Sequence, residues 1–403
     1  MFALALAARL AAVAWTGRGE LERVGDAADY HAYAVSLLER GRYENALGDR
    51  ASRMPGYPLL LAAQYATLGR SPLATEILQS VLGSATCVLV VLVAQSLSPA
   101  SWPLAAGGLA ALSWDMIEPC ARLLTEAPAA FFLALAMFGL SRERELTARR
   151  AAWAGTAAAA AFLLRPEFLP WSVLAAVYAA RRARPACGAA FLAATLAVGA
   201  VWAGRNAAVL GRPVVTTTAG SFNLYGWGAA RTAEERLGGP RWERAPQSYG
   251  ELARMDFYAG RARDFFERAP ARLLAKALAL NAAILYYPFS PALDPTLLFA
   301  APFALLGLWT ALREARARPA ALTALYFTAV YSLAGVMIPR HREGFAPATI
   351  LLAAVGLERL DERLGRRKFA VALSAWAAAC LAAWAAAPVL RALALSVRDR
   401  ALS

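Results

Sequence analysis

What most constrains this chain is a repeated alternation of long runs rich in Ala and Leu with short clusters of Arg. Inside hydrocarbon no water satisfies backbone amides and carbonyls, so a run that enters a bilayer must bond within itself, as a helix. Such runs lie at about residues 2–16, 73–98, 102–118, 123–140, 151–164, 168–180, 187–203, 295–312, 320–338, 345–358 and 369–390, and each is read as a crossing of a core about 30 Å thick. The pattern predicts an all-α fold, a polytopic transmembrane helical bundle of about eleven spans, in one domain over residues 1–403. Several runs are short, notably the pair around Arg165-Pro166, which is expected to tilt or to penetrate part way. A soluble helical protein would need polar faces on its surface helices, and most of these runs have none.

The composition agrees. Hydrophobic residues make up 59% of the chain and charged residues 17%, whereas a soluble chain carries about a quarter charged residues. A net charge of +14 would suggest nucleic acid in a soluble protein. Here the excess sits beside the spans, where anionic membrane lipids and the positive-inside bias account for it, so nucleic acid is not an expected partner. Lys276 and Lys368 are the only lysines; Arg preference with high Ala points to a GC-rich bacterial genome, and hence to a bacterial inner membrane. Cys87, Cys120, Cys187 and Cys380 show no CxxC spacing and read as small hydrophobes. With His31 and His341 the only histidines, a histidine-rich metal cage is excluded.

The first run contains Arg9 and ends in small residues, as a signal peptide does. It lacks a basic leading segment and many spans follow, so an uncleaved first helix is expected. With the N-terminus cytoplasmic, the inner loops hold Arg142, Arg144, Arg149 and Arg150, then Arg181, Arg182 and Arg184. Later ones hold Arg313, Arg316 and Arg318, then Arg359, Arg363, Arg366, Arg367 and Lys368. All agree in sign with that orientation. The outer side then receives two long loops, at about 16–72 and 204–292, each expected to contain amphipathic helix. The first carries seven Arg against seven Asp or Glu. It closes in Pro55-Gly56-Tyr57-Pro58, which breaks a helix. The second is read as extended or irregular from Pro213 to Gly228. It turns helical from about Tyr249 to Tyr287, where the latter part is an interfacial helix or one more span.

Function is sought among polar residues at the membrane edge. Five places stand out, all assigned to the outer face. In Gly25-Asp26-Ala27-Ala28-Asp29-Tyr30 two carboxylates share one helix face and suit a general base or a cation ligand, while Asp26 also suits a helix cap. Asp115, Glu118 and Glu126 gather around a turn, where Thr125-Glu126 is also a capping pattern. In Arg165-Pro166-Glu167 an Arg near membrane depth needs an anion, either Glu167 or an external phosphate. From Asn206 to Gly228 hydroxyls and amides mix with rings: Thr216, Thr217, Thr218, Ser221, Asn223, Tyr225 and Trp227 suit a sugar, and equally a surface loop. Finally Arg340, His341 and Arg342, followed by Pro347, suit a phosphate clamp. Interfacial snorkelling is the plain alternative, yet the positive-inside bias leaves cations unexpected on this face.

These five places, in this order, resemble the GT-C glycosyltransferases that use polyprenyl-phosphate-linked sugars, the group that includes protein O-mannosyltransferases and lipid A aminoarabinose transferases. The likeness runs through Asp26 to Tyr30, Arg53-Met54-Pro55-Gly56-Tyr57-Pro58, Thr125-Glu126 and Arg165-Pro166. It continues in Arg205-Asn206, the Thr-rich stretch to Asn223-Leu224-Tyr225, and Arg340-His341-Arg342. It implies a GT-C-type bundle that moves a sugar from a polyprenyl-phosphate donor to a lipid, glycan or protein acceptor outside the cytoplasm, with inversion at C1. The implied general base is Asp26, four residues before Tyr30, with Asp29 and Glu126 supporting it. Arg340 and Arg342, then Arg165, are implied to hold the donor phosphate. Tyr30, Arg53, Tyr57, His341, Asn223 and Tyr225 are implied substrate contacts. The chain departs from the group in several ways. Ala27 stands where a second acid is common, His341 stands where an aromatic is usual, and no large C-terminal soluble domain follows. Some relatives bind a divalent metal, and the residues here neither require nor exclude one.

A transporter or lipid flippase without covalent chemistry is the rival reading. It calls for ionisable residues along a mid-membrane path and often for repeated halves. The polar residues here crowd one face and no repeat is evident. A non-catalytic homologue serving in assembly or lipid binding is a third reading, opposed by retention of the aspartate and the arginines.

Overall fold

The computed structural model describes residues 1–16, 25–97, 102–141, 146–239, 241–288, 294–334 and 339–389. Arg142 and Arg144, counted above in an inner loop, lie outside them. Among the described residues the secondary structure is helical, with no strand. In chain order come α1 (Phe2–Trp15), α2 (Asp26–Arg40), α3 (Gly56–Leu68), α4 (Pro72–Leu97), α5 (Pro103–Leu112) and the single turn α6 (Trp114–Ile117). Then follow α7 (Glu126–Ser141), α8 (Ala148–Leu164), α9 (Phe168–Arg182), α10 (Pro185–Leu210) and the short α11 (Gly220–Phe222). The second long loop continues with α12 (Ala229–Leu237), α13 (Glu251–Arg268) and α14 (Ala271–Leu285). The chain ends in α15 (Pro295–Arg313), α16 (Arg318–Ala334), α17 (Ala346–Leu364) and α18 (Arg366–Ala385).

Helices α4, α10, α15 and α18 are long and apolar enough to cross a membrane by length and composition, while α1, α5 and α7 are shorter apolar helices. On α18 the large apolar side chains Val371, Leu381 and Trp384 are exposed, a surface that suits lipid. The expected third span breaks early: α5 stops at Leu112 because Ser113 turns extended, and Pro119 then opens a 3₁₀ turn over Glu118–Ala121. Met116 and Ile117 resume the apolar character after Ser113, Trp114 and Asp115, so the sequence reads as one run. Similarly, the stretch expected to be extended or irregular up to Gly228 is irregular at its start. It becomes helical at Gly220 and passes into a π-helical turn, Asn223–Trp227. All four cysteines are buried and free.

Two packing details show what the apolar runs conceal. Arg9 is fully buried in α1 and donates to Ala5 O (2.9 Å), to Ala110 O (3.3 Å) and Ala111 O (3.4 Å), and to Cys87 Sγ (3.2 Å). Ala110 and Ala111 lie in the last turn of α5, whose carbonyls lack intrahelical donors, so a helix terminus takes up the charge. Second, α15 and α17 touch backbone to backbone at Gly307 and Gly356. A Cβ on Gly307 would lie 1.8 Å from Leu352 O, and one on Gly356 would lie 1.9 Å from Phe303 O. Small residues permit this approach where apolar burial alone gives no preference.

The two long loops clasp each other. Glu251, at the start of α13, accepts from Arg50 N (2.6 Å), Ala51 N (2.7 Å) and Thr218 Oγ1 (2.7 Å). Arg254 pairs with Asp49 at 2.5 Å. Arg205 donates to Arg50 O (2.6 Å) and Tyr43 O (3.2 Å), and Asn206 donates to Val214 O (2.7 Å). A second, smaller core joins Tyr225 and Ala229 to Tyr258, Phe265 and Ala277. These ties roof a cavity at the ends of the bundle helices.

Candidate active site

Gly25 sets up the first wall. Its φ of 75° is a left-handed conformation that suits glycine, and it starts α2 so that Asp26 and Asp29 fall one turn apart. Asp26 does not cap the helix with its side chain. Its carboxylate instead accepts from Arg53 Nη2 at 2.8 Å and from Arg340 Nη2 at 2.6 Å. Asp29 accepts from Arg53 Nε at 3.0 Å and from Asn45 Nδ2 at 3.1 Å. Arg53 thus bridges both acids, with Tyr30 5.5 Å away under its guanidinium. Burial pushes the Asp26 carboxyl up, but Arg53 and Arg340 outweigh it and hold the group below its ordinary value. Asp26 is therefore an ionised acceptor at neutral pH.

The opposite wall is built around Arg165, at the turn between α8 and α9. Its Nε donates to Glu167 (2.7 Å), its Nη1 to Thr125 Oγ1 (3.1 Å), and its Nη2 to His341 Nδ1 (3.0 Å). Glu126, 1% exposed, lies 3.0 Å from Arg165 Nη1 and 3.1 Å from Arg340 Nε. Both approaches are to Oε1 and lack hydrogen-bond alignment, so that oxygen is ion-paired to two guanidinium groups, and neither carboxylate oxygen accepts a hydrogen bond. Tyr331 lies face to face with His341, with centroids 5.0 Å apart at 20°, and its hydroxyl donates to Glu167. Burial, Arg165 and Arg340 push the His341 imidazole down to about 3, so the ring is neutral.

Between the walls is a cavity of about 710 Å³ lined by Asp26, Tyr30, Arg53, Glu126, Arg165, Glu167, Asn223, Tyr331, Arg340 and His341, among others. A volume of this order suits a small organic headgroup. Most of the sequence-read candidates thus converge. Of the twelve site residues that the resemblance implies, four do not line it. Asp29 stands behind Arg53. Tyr57 is buried and donates to Gln79 Oε1 at 2.8 Å. Tyr225 packs in the smaller core, its hydroxyl accepting from Glu243 N at 3.1 Å.

Arg342 is the fourth, and corrects the expectation that both arginines share one clamp. On the 3₁₀ segment Pro339–Phe345 it faces away from Arg340. Its Nε meets Asp115 Oδ2 at 2.7 Å, its Nη1 donates to Leu285 O at 3.1 Å, and its Nη2 lies 3.4 Å from Asp294 Oδ2. It fastens the ends of α14 and α15 to α6. Conversely, sequence reading missed Tyr331 and Arg122 as lining residues. Tyr331 sits in an apolar run with nothing to mark it. Arg122 stands between Glu118 and Glu126, and its charge among those acids was the available signal.

A divalent metal was left open above. Among the described residues no three His, Cys, Asp or Glu side chains gather at one point. The cavity's carboxylates face guanidinium groups instead: Asp26 meets Arg53 and Arg340, Glu126 meets Arg165 and Arg340, and Glu167 meets Arg165. That donor set does not fit a metal cage.

No protein-family model matches the sequence, and no curated protein sequence does. Solved structures do match. The archaeal oligosaccharyltransferase AglB from Archaeoglobus fulgidus, in complex with an inhibitory peptide and a dolichol-phosphate, aligns with a TM-score of 0.52 at 12% identity, covering 90% of this chain and 50% of that one. The same oligosaccharyltransferase in complex with Zn and sulfate gives 0.51 at 12% identity over 92% and 50%. Its apo form gives 0.51 at 14% identity over 90% and 51%. The chain spans about half the length of these proteins. At such identities the likeness is one of architecture: this all-helical chain has a GT-C-type fold.

Proposed function

We propose that this chain is a membrane glycosyltransferase that moves a sugar from a polyprenyl-phosphate-linked donor to an acceptor outside the cytoplasm. The observation that carries the proposal is the meeting of Asp26 with Arg53 and Arg340 in one cavity. Displacement at a sugar C1 needs a base on the acceptor side and cations on the departing phosphate. Asp26 takes the proton from the acceptor hydroxyl as its oxygen bonds to C1. The C1–O bond to phosphate breaks, its electron pair leaves with the phosphate, and the anomeric centre inverts. Arg340 and Arg53 stabilise the charge gained by the leaving phosphate monoester. In the free protein both hold Asp26, so an arriving phosphate competes for them and releases the carboxylate for its role as base.

The GT-C-type fold and the solution of AglB with a dolichol-phosphate support a lipid-linked donor. That oligosaccharyltransferase has also been solved tethered to an acceptor peptide, so a protein acceptor stands beside a lipid or glycan one. The rest of the reading is a single membrane domain in a bacterial inner membrane, with about eleven crossings, a cytoplasmic N-terminus and the cavity on the periplasmic side. The test incubates the purified, detergent-solubilised protein with a panel of polyprenyl-phosphate sugars and membrane extract. Sugar transfer with release of polyprenyl phosphate is expected. Lipid movement across vesicles without cleavage of any donor in the panel would favour the flippase reading.

A further inference from the structure

His341 is held in one tautomer by geometry. Its Nδ1 lies 3.0 Å from Arg165 Nη2, and a guanidinium only donates. Nδ1 must therefore carry a lone pair, and the one proton of the neutral imidazole sits on Nε2. The ring has little freedom to change this. It is 9% exposed and lies against Tyr331, whose hydroxyl is bound to Glu167, and Glu167 in turn accepts from Arg165 Nε. Arg165, Glu167, Tyr331 and His341 form a closed frame.

Within that frame Nε2 finds no acceptor in the protein, although the ring lines the cavity. Buried donors without partners are rare enough to call for an explanation. A phenyl ring would stack on Tyr331 equally well. Only an imidazole both accepts from Arg165 and offers a donor at its far side. Arg165 itself has each of its three nitrogens bonded to Glu167, Thr125 or His341, which leaves it poorly placed as a direct phosphate ligand.

We infer that His341 is a neutral hydrogen-bond donor, through Nε2–H, to an acceptor oxygen of the donor's sugar-phosphate headgroup, with Arg165 as the positioning residue that fixes its tautomer. The inference rests on the glycosyl-transfer reading. It replaces a direct role of Arg165 on the donor with an indirect one.

Amide side chains separate the two nitrogens. Gln places an amide near the position of Nε2 and keeps the outward donor; Asn places one near Nδ1 and keeps only the acceptor for Arg165. Binding of undecaprenyl phosphate and turnover of a polyprenyl-phosphate sugar are measured for the intact protein and for His341→Gln, His341→Asn and His341→Phe, with melting temperature as the check on folding. His341→Gln is expected to stay within a few fold of the parent, while His341→Asn and His341→Phe lose roughly ten- to a hundred-fold in donor affinity. Loss toward undecaprenyl phosphate itself identifies a phosphoryl oxygen as the partner, and loss confined to the glycosylated donor identifies a sugar oxygen. In the His341→Phe background, Arg165→Gln should weaken donor binding little further. Rescue by Asn and not by Gln would overturn the inference and leave His341 a prop for Arg165. Unchanged affinity in folded His341→Phe would overturn it too, with the glycosyl-transfer reading intact. A parent protein that neither binds undecaprenyl phosphate nor turns over the donor panel would sink that reading, and the inference with it.

Discussion

Arg340 and Asp26, 314 residues apart along the chain, meet in an ion pair of 2.6 Å. One comes from the segment before α17 and the other from the first turn of α2, so the contact exists only once the bundle has closed. Arg340 also reaches Glu126 at 3.1 Å, which places one cation between two carboxylates on different elements.

Removing that cation should damage donor use. Arg340→Gln is expected to lower kcat/KM for the polyprenyl-phosphate donor by roughly 10²–10³-fold, the usual loss when a group that stabilises developing charge is removed. Steady-state kinetics against donor concentration checks this. Unchanged kinetics in a folded variant would remove Arg340 from the phosphate site.

Arg342, two residues on, should behave oppositely. It is 5% exposed and compensates Asp115 and Asp294. Arg342→Met leaves two buried carboxylates without their cation, a change that typically costs about 3–5 kcal/mol. Thermal unfolding in detergent should show a larger fall in Tm for Arg342→Met than for Arg340→Gln.

The contact of α15 with α17 has no room for a methyl group. Gly307→Ala would bring Cβ to 1.8 Å from Leu352 O, so the helices must part. A loss of about 1–3 kcal/mol or more is expected, read as a lower Tm and less monodisperse protein. An unchanged Tm would contradict the observed packing.

His341 gives the fold an acid sensitivity of definite sign. Burial, Arg165 and Arg340 lower its pKa to about 3 in the folded protein, against about 6.5 when unfolded. The unfolded chain therefore binds the extra proton first. This contribution to stability is complete above the unfolded value and is lost as pH falls from there toward the folded value. Between pH 7 and pH 5 the loss amounts to about 2 kcal/mol. His341→Gln should remove that part of the slope, measured as the difference in Tm between variant and parent across the same pH range.

Much of the bundle was legible because apolar runs flanked by Arg leave few alternatives to membrane helices. The break at Ser113 was not, since Met116 and Ile117 carry the apolar run past Ser113, Trp114 and Asp115. Within the site, Asp26, Arg53, Glu126, Arg165 and His341 were visible as charged or polar groups at the ends of apolar runs. The difference between Arg340 and Arg342 was hidden. Both flank His341 in the same short segment, and their roles are set by partners far along the chain: Asp26 for one, Asp115 and Asp294 for the other. Tyr331 was hidden for a related reason, because its hydroxyl matters only through Glu167, in another turn.

The most direct measurement compares Asp26→Asn with the parent protein for release of polyprenyl phosphate from a glycosylated donor in the presence of acceptor. The variant keeps the shape of the side chain and loses the base. Turnover is expected to fall by roughly 10²–10⁴-fold, with a cooperative melting transition retained. Release of polyprenyl phosphate at the parent rate by a folded Asp26→Asn protein would contradict Asp26 as the base and the chemistry assigned to this cavity.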